Sequence, residues 1–119
     1  MSDVEIAKGY IPGSIGRVAE LHGTYYQAQW GFGLLFEAKV ATELAEFLAR
    51  YDAQRDGFWT AALEGRVEGS IAIDGSHAAD QGAHLRWFIL STTLRGMGVG
   101  NRLINAAIDF CRSQGYPRV

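Results

Sequence analysis

The stretch Leu85-Arg86-Trp87-Phe88-Ile89-Leu90-Ser91-Thr92-Thr93-Leu94-Arg95-Gly96-Met97-Gly98-Val99-Gly100-Asn101-Arg102-Leu103 reads as a strand, a glycine-rich turn and the opening of a helix. Glycines at 96, 98 and 100 let the backbone come close to a bulky anion. Amides at the start of the following helix point outward without partners and carry a partial positive charge, so a pyrophosphate fits there.

Spacing sorts the users of this device. A P-loop needs a Lys-Ser/Thr pair after its last glycine, and Gly100 is followed by Asn101-Arg102. A dinucleotide fingerprint needs Gly-x-Gly-x-x-Gly opening a βαβ unit with an acidic residue about 20 positions on. Here the glycines alternate and stand near the end of the chain. Both readings fail.

Outward from the loop, the helix from Gly98 to Gln114 places Val99, Leu103, Ala106, Ala107, Phe110 and Cys111 on one face, with Gly115 at the C′ position. Tyr116-Pro117-Arg118-Val119 reads as entry to one more strand. Upstream, His84 to Leu90 reads as a central strand and Asp74 to Gly82 as an exposed loop. Phe58 to Leu63 and Val67 to Ile73 form a hairpin about Glu64-Gly65. Two helices come before it. The first runs from Ser14, its expected N-cap, to about Trp30, with Ile15, Val18, Leu21, Tyr25 and Ala28 at helical spacing. Gly31 and Gly33 break it, and the second helix carries Leu35 or Phe36, Val40, Leu44, Phe47, Leu48 and Tyr51 on its apolar stripe. Met1 to Gly9 reads as polar and loosely held, with Gly9-Tyr10-Ile11 as a short first strand.

The chain has 119 residues, 48% of them hydrophobic and 12% aromatic, which suits one soluble domain with a real core. A net charge of -2 with scattered basic residues argues against nucleic acid as a partner. No apolar run approaches the roughly 18 residues of a bilayer span, so no membrane partner is expected. The N-terminus lacks a basic, then apolar, leader pattern, and the expected location is cytoplasmic. Cys111, the single cysteine, has no disulfide partner and reads as a buried small hydrophobe. His22, His77 and His84 have no metal-binding spacing, and Asp74-Gly75-Ser76 with Asp80 offers too few oxygens for calcium, so no metal is expected.

The pattern Arg95-Gly96-Met97-Gly98-Val99-Gly100 resembles the Gln/Arg-x-x-Gly-x-Gly/Ala loop of the GCN5-related N-acetyltransferase (GNAT) family, which holds the coenzyme A pyrophosphate. From Tyr10 to Val119, Ile11-Pro12-Gly13-Ser14-Ile15-Gly16, His22-Gly23, Phe58-Trp59-Thr60-Ala61, Val67-Glu68-Gly69-Ser70 and Leu85-Arg86 also resemble that family. They are nearest to the acetyltransferase domain that follows a MarR-type winged helix in some bacterial proteins. The winged helix has no counterpart here, so DNA binding is not implied.

The resemblance implies an α+β fold of the layered α/β/α acyl-CoA N-acyltransferase type, with a mixed, mostly antiparallel sheet flanked by helices. It implies one domain, 1–119, C-terminally incomplete and ending at the start of the fifth strand. The unfinished sheet edge would favour a homodimer. Acetyl-CoA is the implied co-substrate and a small-molecule or protein amine the acceptor, acetylated by direct attack in a ternary complex. Phe88, Ile89 and Leu90 would pair through their backbones with the pantetheine arm. Arg95, Gly96, Met97, Gly98, Val99, Gly100 and Asn101 would wrap the pyrophosphate, with Arg95 or Arg102 adding charge.

The family often takes its base from a Glu on or just after the central strand. Ser91 stands where that acid is common and Thr92 where a proline is usual. His84, of the side-chain type suited to proton transfer near neutral pH, is the candidate base, and Glu68 on the preceding strand is no better supported. The family's Tyr acid belongs to a later helix. The alternative function is a non-catalytic coenzyme A-binding or interaction module. Tyr25, Tyr26, Trp30, Phe32 and Phe36 crowd the helix pair that flanks the family's acceptor site, and most read as core.

Overall fold

The computed structural model describes residues 3–119. Its elements are β1 (Val4–Lys8), α1 (Ser14–Trp30), α2 (Gly33–Ala49), β2 (Gly57–Leu63), β3 (Arg66–Asp74), α3 (Ala78–Gln81), β4 (His84–Leu90) and α4 (Val99–Ser113). A single 3-10 turn, Thr92–Leu94, links β4 to the glycine loop. The four strands form one antiparallel sheet in the order β1-β2-β3-β4. This is the mixed helix-and-sheet, layered class expected from the sequence.

Two cores sandwich the sheet. Trp59, Ala61, Ile71 and Ile73 meet Leu103, Ala107, Phe110 and Cys111 of α4 on one face. Phe58, Ala72 and Trp87 meet Val18 of α1 and Val40, Leu44 and Phe47 of α2 on the other. Strand side chains alternate between faces, so one hairpin feeds both cores. The α4 stripe is as read, and Gly115 (φ 73°) closes the helix while the Tyr116 amide donates to the Cys111 carbonyl at 3.0 Å.

Several local readings are corrected. The first strand is Val4–Lys8 rather than Gly9-Tyr10-Ile11, because Val4 and Ile6 alternate onto the α4 core while Glu5 faces water. The polar look of residues 3–8 hid that alternation. Ser14 is not a capping side chain: Gly13 caps α1 and the Ser14 hydroxyl donates backward to the Ile11 carbonyl at 2.6 Å. Ala28 and Leu35 lie on exposed sides of their helices. Asp74–Gly82 is not an exposed loop throughout, since Asp74 ends β3 and Ala78 of α3 enters the core. Strand β4 stands at the edge of the sheet among the described residues rather than at its centre. Tyr116–Val119 forms no strand; the Ala83 amide donates to the Arg118 carbonyl at 2.8 Å, and the tail lies beside the start of β4.

Candidate functional site

Strand β4 is bent by a bulge. Asp74, Ile73 and Ala72 face His84, Leu85 and Arg86, but Ser70 and Gly69 face Ile89 and Leu90, leaving Ile71 opposite both Trp87 and Phe88. Trp87 takes φ 49°, rare for a bulky residue, and its carbonyl accepts a 2.6 Å hydrogen bond from the buried Ser70 hydroxyl. The extra residue sends Trp87 into the α1/α2 core against Phe47 (ring centroids 5.3 Å apart) and turns Phe88 toward α4. Neither Ser70 nor the bulge was legible beforehand, because Leu85–Leu90 is apolar nearly throughout and carries no glycine to mark a break.

Beyond Leu90 the chain drops Leu94 into the core (1% exposed) and then forms the glycine loop. Gly96 and Gly98 sit at φ 80° and 74°, and a Cβ added at either would point into open space. Both left-handed residues are needed to turn the chain before Val99, also 1% exposed, anchors α4. Arg102 is the first amide of α4 to bond backward, to the Gly98 carbonyl at 3.2 Å. The amides of Val99, Gly100 and Asn101 are therefore the free donors of the helix opening. Arg95 is exposed and, among the described residues, stands in no ion pair.

The loop thus offers outward amides, open approach and an unpaired guanidinium, which fits a pyrophosphate. Phe88, Ile89 and Leu90 form the last part of β4, whose outer side has no neighbouring strand among the described residues. That fits an extended, amide-bearing arm added at the edge. A cavity of about 350 Å³ runs along this edge, lined by Tyr25, Tyr26, Phe88, Ile89, Leu90 and Arg95. Of the ten residues expected from the sequence, Phe88, Ile89, Leu90 and Arg95 line this cavity, with Tyr25 and Tyr26 as further walls, and residues 96–101 follow in the adjoining loop and helix opening.

His84 and Glu68 are both placed on the α1/α2 side, in different settings. His84 opens β4 opposite Asp74, on the side where Arg86 meets Glu43 of α2, and its side chain is exposed. Glu68 is the extra residue of a second bulge, in β3, and its carboxylate accepts from Arg17 at 2.7 Å. Arg17 also donates to Glu20 (2.8 Å) and to the Val67 carbonyl (2.7 Å), so Glu68 is tied into an ion network. Among the described residues the buried Ser91 hydroxyl has no hydrogen-bond partner; it lies beside this network, in a second cavity of about 420 Å³.

Other titratable groups are structural. Burial pushes the Cys111 thiol up, against thiolate chemistry. Burial also lowers the pKa of His22, while its contact with the Val18 carbonyl (2.9 Å to Nδ1) acts in the opposite sense. Asp74 holds the Ser76 amide and hydroxyl with one oxygen and Arg50 with the other. The aromatic cluster of the helix pair is not core throughout: Trp30 and Phe32 are 55% and 48% exposed.

Comparison with known proteins converges on this geometry. The sequence pattern of the acetyltransferase (GNAT) family matches residues 16–119. "Probable N-acetyltransferase camello" of Xenopus tropicalis is 31% identical over 62 residues, a match covering 52% of this chain and 28% of that protein. The chain therefore matches well under half the length of that curated relative. An acetyltransferase of the GNAT family from Staphylococcus aureus Mu50 has the same fold, with a TM-score of 0.76 at 16% identity over 96% of this chain and 70% of the other. An acetyltransferase from Clostridium acetobutylicum, solved with acetyl-CoA, has a TM-score of 0.69 at 10% identity over 98% of this chain and 78% of the other. With its loop, its edge strand and a family match over most of its length, this chain belongs to the acetyltransferase (GNAT) family.

Proposed function

We propose that the chain carries the acetyl-CoA site of an N-acetyltransferase that passes an acetyl group to a primary amine by direct attack in a ternary complex. One observation carries this reading: a sheet edge, Phe88–Leu90, leads directly into a loop with two left-handed glycines and free helix-opening amides. Bound acetyl-CoA supplies a thioester whose acetyl carbon is the electrophile.

The free amides of Val99, Gly100 and Asn101 hold the pyrophosphate, Gly96 and Gly98 let it approach, and Arg95 adds a charge-assisted contact. Backbone groups of Phe88, Ile89 and Leu90 align the pantetheine arm, and an amide at this strand end polarises the thioester carbonyl. His84, the candidate base, takes the proton of the attacking amine through a chain of several waters, because about 13 Å of strand separates it from Phe88. Its imidazole is exposed, and it stands four residues before Phe88 on the side of the sheet that carries α1 and α2. Glu68 is already committed to Arg17 and serves as scaffold.

Acetyl-CoA raises the melting temperature of the purified chain in this reading, and Gly98→Arg abolishes the rise. A chain that binds acetyl-CoA yet acetylates no primary amine would instead be a coenzyme A-binding module. Absence of any shift in the intact chain would overturn both.

A further inference from the structure

From Leu21 to Phe36 the chain carries no Asp, Glu, Lys or Arg. This uncharged stretch is the distal part of α1, the turn and the opening of α2. Its rings form a ladder. Tyr26 stacks on Phe36 (centroids 4.1 Å, planes 9° apart) and on Trp30 (5.3 Å, 29°), and Phe32 stacks on Phe36 (6.1 Å, 25°). The outer end of the ladder is bare. Trp30, Phe32, Leu34 and Leu35 are 55%, 48%, 81% and 74% exposed. Polar residues would serve equally well at the tip of a helical hairpin, so four large apolar side chains left in solvent there mark an interaction surface.

Beside the tip runs a groove of about 510 Å³, lined by Thr24, Gln27 and Ala28 of α1 and by Gly33, Leu34 and Glu37 of α2. Glu37 is the one charged residue of this lining. It stands one helical turn beyond Leu34 and folds against Gly23, where an added Cβ would come within 2.9 Å of the Glu37 Cβ. The carboxylate is therefore at the groove end away from the tip. Protruding leucines and a groove floored by small residues thus share one surface, and a two-fold contact needs both from each copy. A stretch without charge also escapes the like-charge repulsion that a two-fold axis imposes on charged residues near it. The area agrees in scale. With a whole ring side chain worth about 150–250 Å², the four bare side chains present on the order of 400 Å² per copy, about half of the roughly 800 Å² per partner of a standard interface. The groove walls add to this, which suits a concentration-dependent dimer.

We propose that the α1/α2 tip is a homodimer surface, on which a second copy of this chain lays Leu34 and Leu35 into the groove and covers Trp30. The pair is two-fold symmetric, and each copy gives and receives the same contacts. The outer side of β4 stays free in it, whereas pairing at that sheet edge would cover the strand Phe88–Leu90.

Trp30 reports on this contact directly, because the other two tryptophans, Trp59 and Trp87, are only 5% and 8% exposed. Analytical ultracentrifugation and acrylamide quenching of tryptophan fluorescence are run on the whole chain from about 1 to 200 μM. A monomer–dimer equilibrium is expected in this range, with quenching reduced about twofold as the dimer forms and water leaves Trp30. Leu34→Glu and Leu35→Glu, both at mostly exposed side chains, should each weaken the dimer at least about tenfold while circular dichroism stays unchanged, whereas Ile108→Glu on the outer side of α4 should not weaken it. A monomer at every concentration, a dimer in which Trp30 remains as open to acrylamide as in the monomer, or a dimer indifferent to both leucine substitutions would overturn the proposal. So would a chain that stays monomeric and sediments with phosphatidylcholine vesicles unless Leu34 is replaced, because the tip would then serve a lipid surface.

Discussion

The Ser70 hydroxyl donates a 2.6 Å hydrogen bond to the carbonyl of Trp87, joining β3 to the one residue of β4 whose φ is positive. The bond is buried, so the bulge is held by a polar contact that water cannot replace. Ser70→Ala should therefore destabilise the fold by about 1–2 kcal/mol in urea unfolding. It should also weaken acetyl-CoA binding several-fold, because Phe88–Leu90 lose their set position. A stability loss with unchanged acetyl-CoA affinity would show that the bulge does not position the site.

Arg95 contributes charge rather than packing, since its side chain is exposed and, among the described residues, free of ion pairs. Arg95→Ala should leave the melting temperature of the free chain within about a degree or two and weaken acetyl-CoA binding about five- to tenfold. The loss should shrink as salt rises from 50 to 500 mM, because an exposed contact is screened. An effect independent of salt would place Arg95 outside the pyrophosphate contact.

The sequence disclosed those parts of the site where chemistry restricts residue choice. Gly96 and Gly98 must turn left-handed and Val99 must be apolar to anchor α4, so the loop was legible from Arg95 onward. The α4 stripe was legible for the same reason: a 3.6-residue period leaves a clear trace. Register leaves none. Ile71 opposite both Trp87 and Phe88 depends on how two apolar strands slide past one another, and any apolar residue suits either register. Strand β1 was hidden because only Val4 and Ile6 are strongly apolar, with Glu5 between them. The exposed ends of the ladder, Trp30 and Phe32, were misread because apolar residues at helical spacing usually mean core, and the spacing cannot say where the sheet beneath the helix stops.

Acid stability should show two stages. Burial lowers the pKa of His22 from 6.5, so the unfolded chain takes up a proton more readily than the folded one. Stability is complete above about pH 6.5 and declines as pH falls below it. Burial alone would raise the Asp74 pKa, but hydrogen bonds from Arg50 and Ser76 outweigh it and bring the pKa from 3.8 to about 2. That carboxylate contributes about 2 kcal/mol above pH 4, lost as the pH falls from 3.8 toward 2. Asp74→Asn should remove the lower stage and His22→Gln the upper one in pH-resolved urea melts. A wild-type profile flat between pH 7 and 5 would contradict the His22 assignment.

His84 distinguishes a base from a bystander because its exposure makes substitution structurally cheap. His84→Gln should leave acetyl-CoA affinity and the melting temperature unchanged, since the residue lies at the end of β4 away from the glycine loop, about 20 Å along the strand from Leu90. With a primary amine acceptor, kcat/KM should fall by about 10²-fold, and the rising limb of the pH profile should disappear. Loss of that limb is the decisive readout, because a merely structural role would lower the rate at every pH without moving the profile. If the limb survives in His84→Gln, the proton leaves by another route. Glu68 would then need release from Arg17, an event that Arg17→Gln would favour and Glu68→Gln would abolish.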